Sequence, residues 1–360
     1  MEGHRMPSFY YEDPKSNKNE FIPLSLKKLE INYLNPVLQF LGVIRNFKNF
    51  FLSNSGIFVE ESRKYSLSFV TAKFYSHLYF DDNNEKEIKP YDTSNYLKIL
   101  NFINPLFGTV KNMNVNQVLT FILSTLDDEN NKTDINEGIR NYNRHDENEV
   151  INNGIRFFEE KNNTIITKEL NYYLLQTIEC EYCHNIYFDM KSFPTFNINI
   201  SYTYNKKASP ITIKDCLENE KTNNGESIQF YCDSCNSYKR TKMVNYQFYK
   251  TNNKLIFLLD RDACFNNSNN SVNIPFKIDE ILDMKNYMID SKQGFKYELI
   301  GIISSEIKEK RYVCFSKMYI NQKWYLYIDE LTEQKTIEEI INEHNNGKYI
   351  PYTLMYSKIN

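Results

Sequence analysis

Apolar residues along this chain follow two different spacings, and the change from one to the other divides it. Val37, Phe40, Leu41, Ile44 and Phe47 recur at intervals of three and four, which puts them on one face of a buried amphipathic helix. Asn32 or Asn35 is placed to cap that helix, and Pro36 suits its first turn. A second helical stretch runs from Asn114 to Leu126 through Val118, Leu119, Ile122 and Leu123. After Thr164 the spacing shortens. Ile165 to Thr177 and Thr195 to Tyr204 are rich in Ile, Phe, Tyr and Thr with partial alternation, and read as strands. Leu255 to Leu259 is a short apolar run of the kind a doubly buried strand presents. Tyr297 to Ile303, Tyr312 to Phe315, Lys323 to Tyr327 and Tyr352 to Tyr356 continue as strands, with a short helix from Thr336 to Asn342. Helices first and mostly antiparallel strands afterwards predict an α+β fold. Residues 1–20 read as a flexible tail, and 127–163, with its acidic and Asn pairs and alternating charges, as an insertion or mobile loop.

Composition narrows the setting. The 360 residues are 41% hydrophobic and 25% charged, enough for a large packed core in one domain or two. A net charge of −3 gives no footprint for nucleic acid or an anionic membrane. No apolar run approaches the roughly 20 residues that span a bilayer. Met1 to Glu20 lacks the apolar core of a secretory signal, so cytoplasm or nucleus is expected. Asn supplies about 13% of the chain, which resembles the coding bias of an AT-rich genome. Clusters such as Asn266, Asn267, Asn269 and Asn270 therefore read as solvated loop.

Seven cysteines include two tight pairs, Cys180-Glu-Tyr-Cys183 and Cys232-Asp-Ser-Cys235. A two-residue gap lets both thiolates reach one ion, and two such knuckles complete a tetrahedron around Zn2+. Roughly 48 residues separate the pairs, so the second must return on a hairpin-like excursion. With four protein ligands the site is closed, and a closed zinc is structural. A redox CxxC would need a thioredoxin-like βαβ setting, which the pattern lacks. Cys216, Cys264 and Cys314 read as buried small hydrophobes.

In order along the chain, these pieces resemble the ubiquitin-specific proteases. Tyr33-Leu-Asn35-Pro-Val-Leu38-Gln39-Phe-Leu41 resembles that family's Cys-box, Asn-Thr-Cys-Tyr-x-Asn-Ser-x-Leu-Gln-x-Leu. The cysteine pairs are similar to its zinc-bearing fingers. Leu255 to Arg261 with Val272-Asn-Ile-Pro275 is similar to its apolar, Arg-Phe, Val-x-Phe-Pro segment. Tyr297 to Ile303 through Tyr312, Trp324-Tyr325 and Asp329 resembles the His-box, and Tyr352 to Tyr356 the closing strand. Asn116 to Phe121 is a faint copy of Gln-Asp-Ala-x-Glu-Phe. The resemblance spans about residues 24–358 and implies a papain-like fold over 21–358: a helical thumb (about 24–164), zinc-bearing β fingers (about 165–250) and a β-rich palm (about 251–358).

The same resemblance implies a Cys nucleophile at a helix N-terminus, a His base and an orienting Asp. At those positions this chain carries Asn32, Arg311 and Ile328. Asp329 is the retained neighbour, Lys310 replaces the Gly before the His, and Lys27 stands where an Asn helps hold the oxyanion. An amide is no nucleophile, a guanidinium stays protonated, and an aliphatic side chain cannot orient an imidazole. The first cysteine of the chain is Cys180, so no shift of the match supplies the usual nucleophile. The leading expectation is a pseudo-deubiquitinase that binds ubiquitin, a ubiquitin-like protein or other protein partners. An active cysteine-type deubiquitinase with a displaced site, and a splicing or mRNA-processing scaffold that does not bind ubiquitin, remain as alternatives. For a displaced site, Cys314 has no His beside it in sequence, and His77, His145, His184 and His344 sit in unrelated segments and read as surface or packing histidines.

Overall fold

The first apolar face becomes two helices: α1 (Leu34–Leu41) ends at Gly42, and α2 (Arg45–Ser53) restarts after an extended Ile44. Neither Asn32 nor Asn35 caps α1. Its N-cap is Tyr33, without a side-chain cap, and Asn35 is buried inside the first turn, where tertiary partners occupy its amide. A computed structural model describes residues 25–54, 64–80, 90–111, 113–131, 143–161, 163–207, 209–222, 227–261, 274–289 and 295–359. The tail expected at 1–20, Cys264 and Val272 fall outside these.

The helical layer continues with α3 (Leu67–Phe80), α4 (Ser94–Ile103), the single turn α5 (Leu106–Thr109) and α6 (Val115–Asn130). Asn114 caps α6, its side chain accepting from the Asn116 amide, and Val115, Val118, Leu119, Ile122 and Leu123 are buried as their spacing requires. No helix among the described residues is long and apolar enough to cross a membrane.

The segment 127–163 differs from the expected loop. Helix α6 runs on through Asp127 and Asp128 to Asn130, and α7 (Glu147–Lys161) follows. Val150 and Ile151, with Ile155 and Phe158, pack on Tyr173, Leu175 and Met190. That helical period was hidden by dense charge and Asn on the outer face. Close approach is possible because a Cβ on Gly154 would stand 2.6 Å from Met190 Cβ.

Two expected strands divide. Ile165 to Thr177 becomes α8 (Ile165–Glu169), capped by Thr164, and then β1 (Tyr172–Cys180). Thr195 to Tyr204 becomes β3 (Phe196–Ile198) and α9 (Ile200–Lys207), after β2 (Ile186–Phe193). Short helices with few apolar residues do not separate from strands by period alone. Next come α10 (Ile213–Thr222), β4 (Ser227–Cys232), β5 (Ser237–Lys250) and β6 (Lys254–Leu259). The C-terminal part holds β7 (Ile281–Asp283), β8 (Lys296–Glu306), β9 (Arg311–Lys317), β10 (Trp324–Ile328), β11 (Leu331–Lys335), α11 (Ile337–Asn345) and β12 (Tyr349–Lys358).

These strands form a four-stranded sheet, β2-β1-β5-β4, and an eight-stranded sheet, β11-β10-β9-β8-β12-β6-β3, with β7 paired to β8. The stretch 165–250 is therefore not one sheet: β3 pairs in parallel with β6, and Ile200, Ile211, Ile213 and Leu217 bury in the larger sheet's core. Strand alternation makes that larger sheet doubly buried. Ile256, Leu258, Ile303, Cys314 and Met355 face the helical layer, while Leu255, Phe257, Leu259, Ile302, Phe315 and Leu354 face the opposite core. Helix α1 lies directly on β8, where a Cβ on Gly301 would meet the Phe40 ring at 3.1 Å.

Candidate functional site

Two constellations emerge, one where α1 meets the hairpin β8–β9, the other at the tip of the four-stranded sheet. At the first, Asn32 Nδ2 donates to the Lys310 carbonyl oxygen at 3.2 Å. The fold thus brings together residues 278 positions apart, as the sequence reading required of Asn32 and Arg311. Lys310 has φ +49, a left-handed turn position that favours glycine. Arg311, beside it, is fixed to Glu306: its Nε and Nη2 both lie 2.7 Å from Glu306 Oε2, across a β8–β9 register pair.

Asn35 ties the site's frame together. Its Nδ2 donates to Asp329 Oδ1 at 2.8 Å and to the Lys27 carbonyl at 3.0 Å, and its Oδ1 accepts from Thr93 Oγ1 at 2.8 Å. Asp329 has φ +50, and its carbonyl accepts the Leu26 amide. Ile328, one residue earlier, packs against the core on the other face of the sheet. Lys27 reaches outward to Asp92 at 3.2 Å. Hydrogen bonds from Ser94, and then Lys27, hold the Asp92 carboxyl down at about 2. Of the residues the resemblance singled out, Lys27, Asn32, Arg311 and Asp329 lie at or beside this junction, whereas Ile328 faces the opposite core. Glu306 and Thr93 were missed. Opposite charges at 306 and 311, spaced to face each other across a tight turn, were the available signal for Glu306.

The chemistry open to this arrangement is limited. The N-terminus of α1 favours an anion, yet Asn32 offers only a neutral amide. Arg311, bound to Glu306, accepts no proton. Nor, among the described residues, does a displaced pair assemble around Cys314. Burial pushes that thiol up to about 12, and its Sγ lies against Ser316 Oγ. His344 packs on the ring of Phe315, the next residue along β9, and so lies across the sheet from Cys314. Its Nδ1 donates to the Ile340 carbonyl and its Nε2 accepts from Ser304 Oγ, which makes it a helix-to-sheet strut. His77, His145 and His184 are exposed; His145 Nδ1 lies 2.8 Å from the Ile186 carbonyl and His184 Nδ1 the same distance from Glu179.

At the second constellation the four expected cysteines converge. The sulfurs of Cys180, Cys183, Cys232 and Cys235 all lie within 4.8 Å of one another. Cys183 and Cys232 are 3.5 Å apart, Cys180 and Cys235 4.0 Å. A tetrahedral ion with metal–sulfur bonds of about 2.3 Å needs edges of about 3.8 Å, so the set fits one. The two knuckles are alike: His184, following Cys183, and Asn236, following Cys235, both take a left-handed φ. They sit in the hairpins β1–β2 and β4–β5, which the antiparallel pairing of β1 with β5 brings side by side. Burial raises the Cys232 thiol, but Tyr187 Oη at 3.0 Å and the Cys235 amide at 3.3 Å, with the neighbouring cysteine thiols, outweigh it and lower it, while Cys183 and Cys235 are raised in turn. Its thiolate, the ligating form, is thereby favoured. Tyr187 was not foreseen. Cys216 and Cys314 are buried, as expected.

A family model described as ubiquitin carboxyl-terminal hydrolase matches residues 30–356. Among solved structures, the chain is similar to the SAGA DUB module Ubp8/Sgf11/Sus1/Sgf73 bound to monoubiquitin. There the TM-score is 0.65 at 18% identity, covering 98% of this chain and 72% of that one. The SAGA Ubp8/Sgf11/Sus1/Sgf73 DUB module bound to ubiquitin aldehyde gives 0.62 and 20%, covering 93% and 70%. A yeast SAGA DUBm with an Sgf73 mutant gives 0.62 and 18%, covering 93% and 69%. At such identities the likeness shows the fold. No curated protein matches the chain.

Proposed function

The chain belongs to the ubiquitin carboxyl-terminal hydrolase family, and on that premise we propose that it is a pseudo-deubiquitinase, a protein that grips ubiquitin or a ubiquitin-like partner without cutting it. One observation carries the reading: Asn32 and Lys310–Arg311, the positions that the sequence resemblance equates with nucleophile and base, meet at one junction, and neither side has a side chain suited to that work. Asn32 cannot take up an acyl group, and Arg311 is committed to Glu306. Asn35, Asp329 and the Lys27 carbonyl clamp α1 to the sheet beside these residues, which supports a retained frame.

The four-cysteine tip supports a gripping role. Cys180, Cys183, Cys232 and Cys235 would hold a structural Zn2+, which would cross-link the tips of two hairpins already paired through β1 and β5. Two of the similar structures contain ubiquitin or ubiquitin aldehyde, which supports ubiquitin as the held partner. The exposed Lys308 and Lys310 near the site alter the surface a ubiquitin tail would meet, and weaker binding than in active relatives follows. The test is a titration of fluorescent ubiquitin into the full chain. Saturable binding in the micromolar range, lost in Cys232→Ser, is expected; no saturation for wild type would favour a scaffold without ubiquitin contact.

A further inference from the structure

The helical layer exposes an apolar surface that neither constellation uses. Along α4 and α5, Phe102, Ile103, Leu106 and Val110 are 67, 37, 56 and 40% exposed. The ring of Tyr65, 57% exposed, lies against Phe102 at 5.3 Å. Beside them a pocket of about 280 Å3 opens between Leu29, Ile31, Leu97, Phe107, Val110 and Lys111. Scattered exposed apolar side chains are ordinary, but a contiguous set around a concavity marks an interaction surface.

Charge decides what the surface fits. Residues 93–126 contain two lysines, Lys98 and Lys111, and no acidic residue. Both lysines are exposed, and Lys64 rises over the Tyr65 ring at 5.4 Å. The one carboxylate on the pocket wall, Glu30, sits 3.6 Å from Lys111 in a solvent-exposed pair, which an incoming acid can exchange. The rim is therefore basic although the whole chain is not. An isologous contact with a second copy would set lysine against lysine. A flat anionic membrane would leave the pocket unfilled. At about 280 Å3 the pocket is smaller than the roughly 300–1,000 Å3 usual for small-molecule sites, a size suited to a projecting apolar side chain.

We propose that this face docks an acidic amphipathic helix of a partner protein, one apolar side chain entering the pocket and others lying across Phe102 and Leu106, with Asp or Glu over Lys98 and Lys111. The pocket wall Leu29–Ile31 runs on into Asn32, so this surface adjoins the first constellation, but the proposal does not depend on the ubiquitin grip.

The test uses the full chain and a phage-displayed library of random 16-residue peptides. Enrichment of net-acidic sequences with apolar residues at i, i+4 and i+7 is expected. The synthesised best binder should lose at least about tenfold in affinity to Phe102→Ser/Leu106→Ser and to Lys98→Glu/Lys111→Glu. All positions are exposed, and unchanged circular dichroism confirms that the variants fold. The proposal is overturned if enriched peptides carry no acidic bias, or bind both variants as tightly as wild type. It is equally overturned if wild type floats with phosphatidylserine vesicles, or sediments as a dimer, and either property is lost in Phe102→Ser/Leu106→Ser.

Discussion

His344 offers the sharpest test of the claim that this buried histidine is a helix-to-sheet strut and not a base. It is 6% exposed, wedged between the rings of Phe315 and Tyr349, with Ser304 Oγ 2.8 Å from Nε2 and the Ile340 carbonyl 2.6 Å from Nδ1. Burial pulls its pKa from the ordinary 6.5 to about 4, against smaller opposing contributions from the Ile340 carbonyl and Glu343. The unfolded chain therefore binds the proton first as pH falls. The stabilising effect of the neutral ring is complete above about 6.5, declines as pH drops, and is gone below about 4. At about 1.4 kcal/mol per pH unit, the whole drop amounts to about 3 kcal/mol. Urea unfolding followed by Trp324 fluorescence should show it, because Trp324 is the single tryptophan and lies in the same core cluster as Phe315. Carboxylates titrate in this range too, so the readout is wild type minus His344→Gln. Between pH 7 and 4 wild type should lose about 3 kcal/mol more than the variant. Parallel curves would refute the argument and return His344 to the list of candidate bases.

Asn35→Leu removes three hydrogen bonds and leaves Asp329 without that donor; a loss of about 2–4 kcal/mol is expected from the urea midpoint. Gly154→Ala would gain about 1 kcal/mol of helix propensity, but its methyl meets Met190 Cβ at 2.6 Å, so a lower Tm by calorimetry is expected. Chelation of a cysteine-bound ion should speed amide hydrogen exchange at the tips of β1–β2 and β4–β5 while leaving β8 and β12 unchanged. Uniform exchange before and after chelation would speak against a structural metal.

Some of this was legible because it depends on local pattern alone. The cysteine pairs carry their own geometry, and the apolar strands Leu255 to Leu259 and Tyr352 to Tyr356 are buried on both faces, so register could not confuse them. The α+β order followed from the change in apolar spacing along the chain. What was hidden depends on partners distant in sequence. Helix α7 reads as solvated loop until Tyr173 and Met190 supply the surface it covers. Ile165 and Ile166 resemble a strand until Leu170 closes the helical turn on the core of the helical layer. Asn35 was assigned as a possible cap because Asn favours caps; its actual partners lie 8, 58 and 294 positions away.

The central claim is that the frame of a ubiquitin hydrolase is retained while its nucleophile is absent. Incubating the full chain with ubiquitin bearing a C-terminal thiol-reactive electrophile, and weighing the intact protein by mass spectrometry, tests this most directly. The account predicts unmodified protein under conditions where labelled ubiquitin binds saturably. A covalent ubiquitin adduct, mapped to any cysteine of this chain and abolished by replacing it, would contradict it.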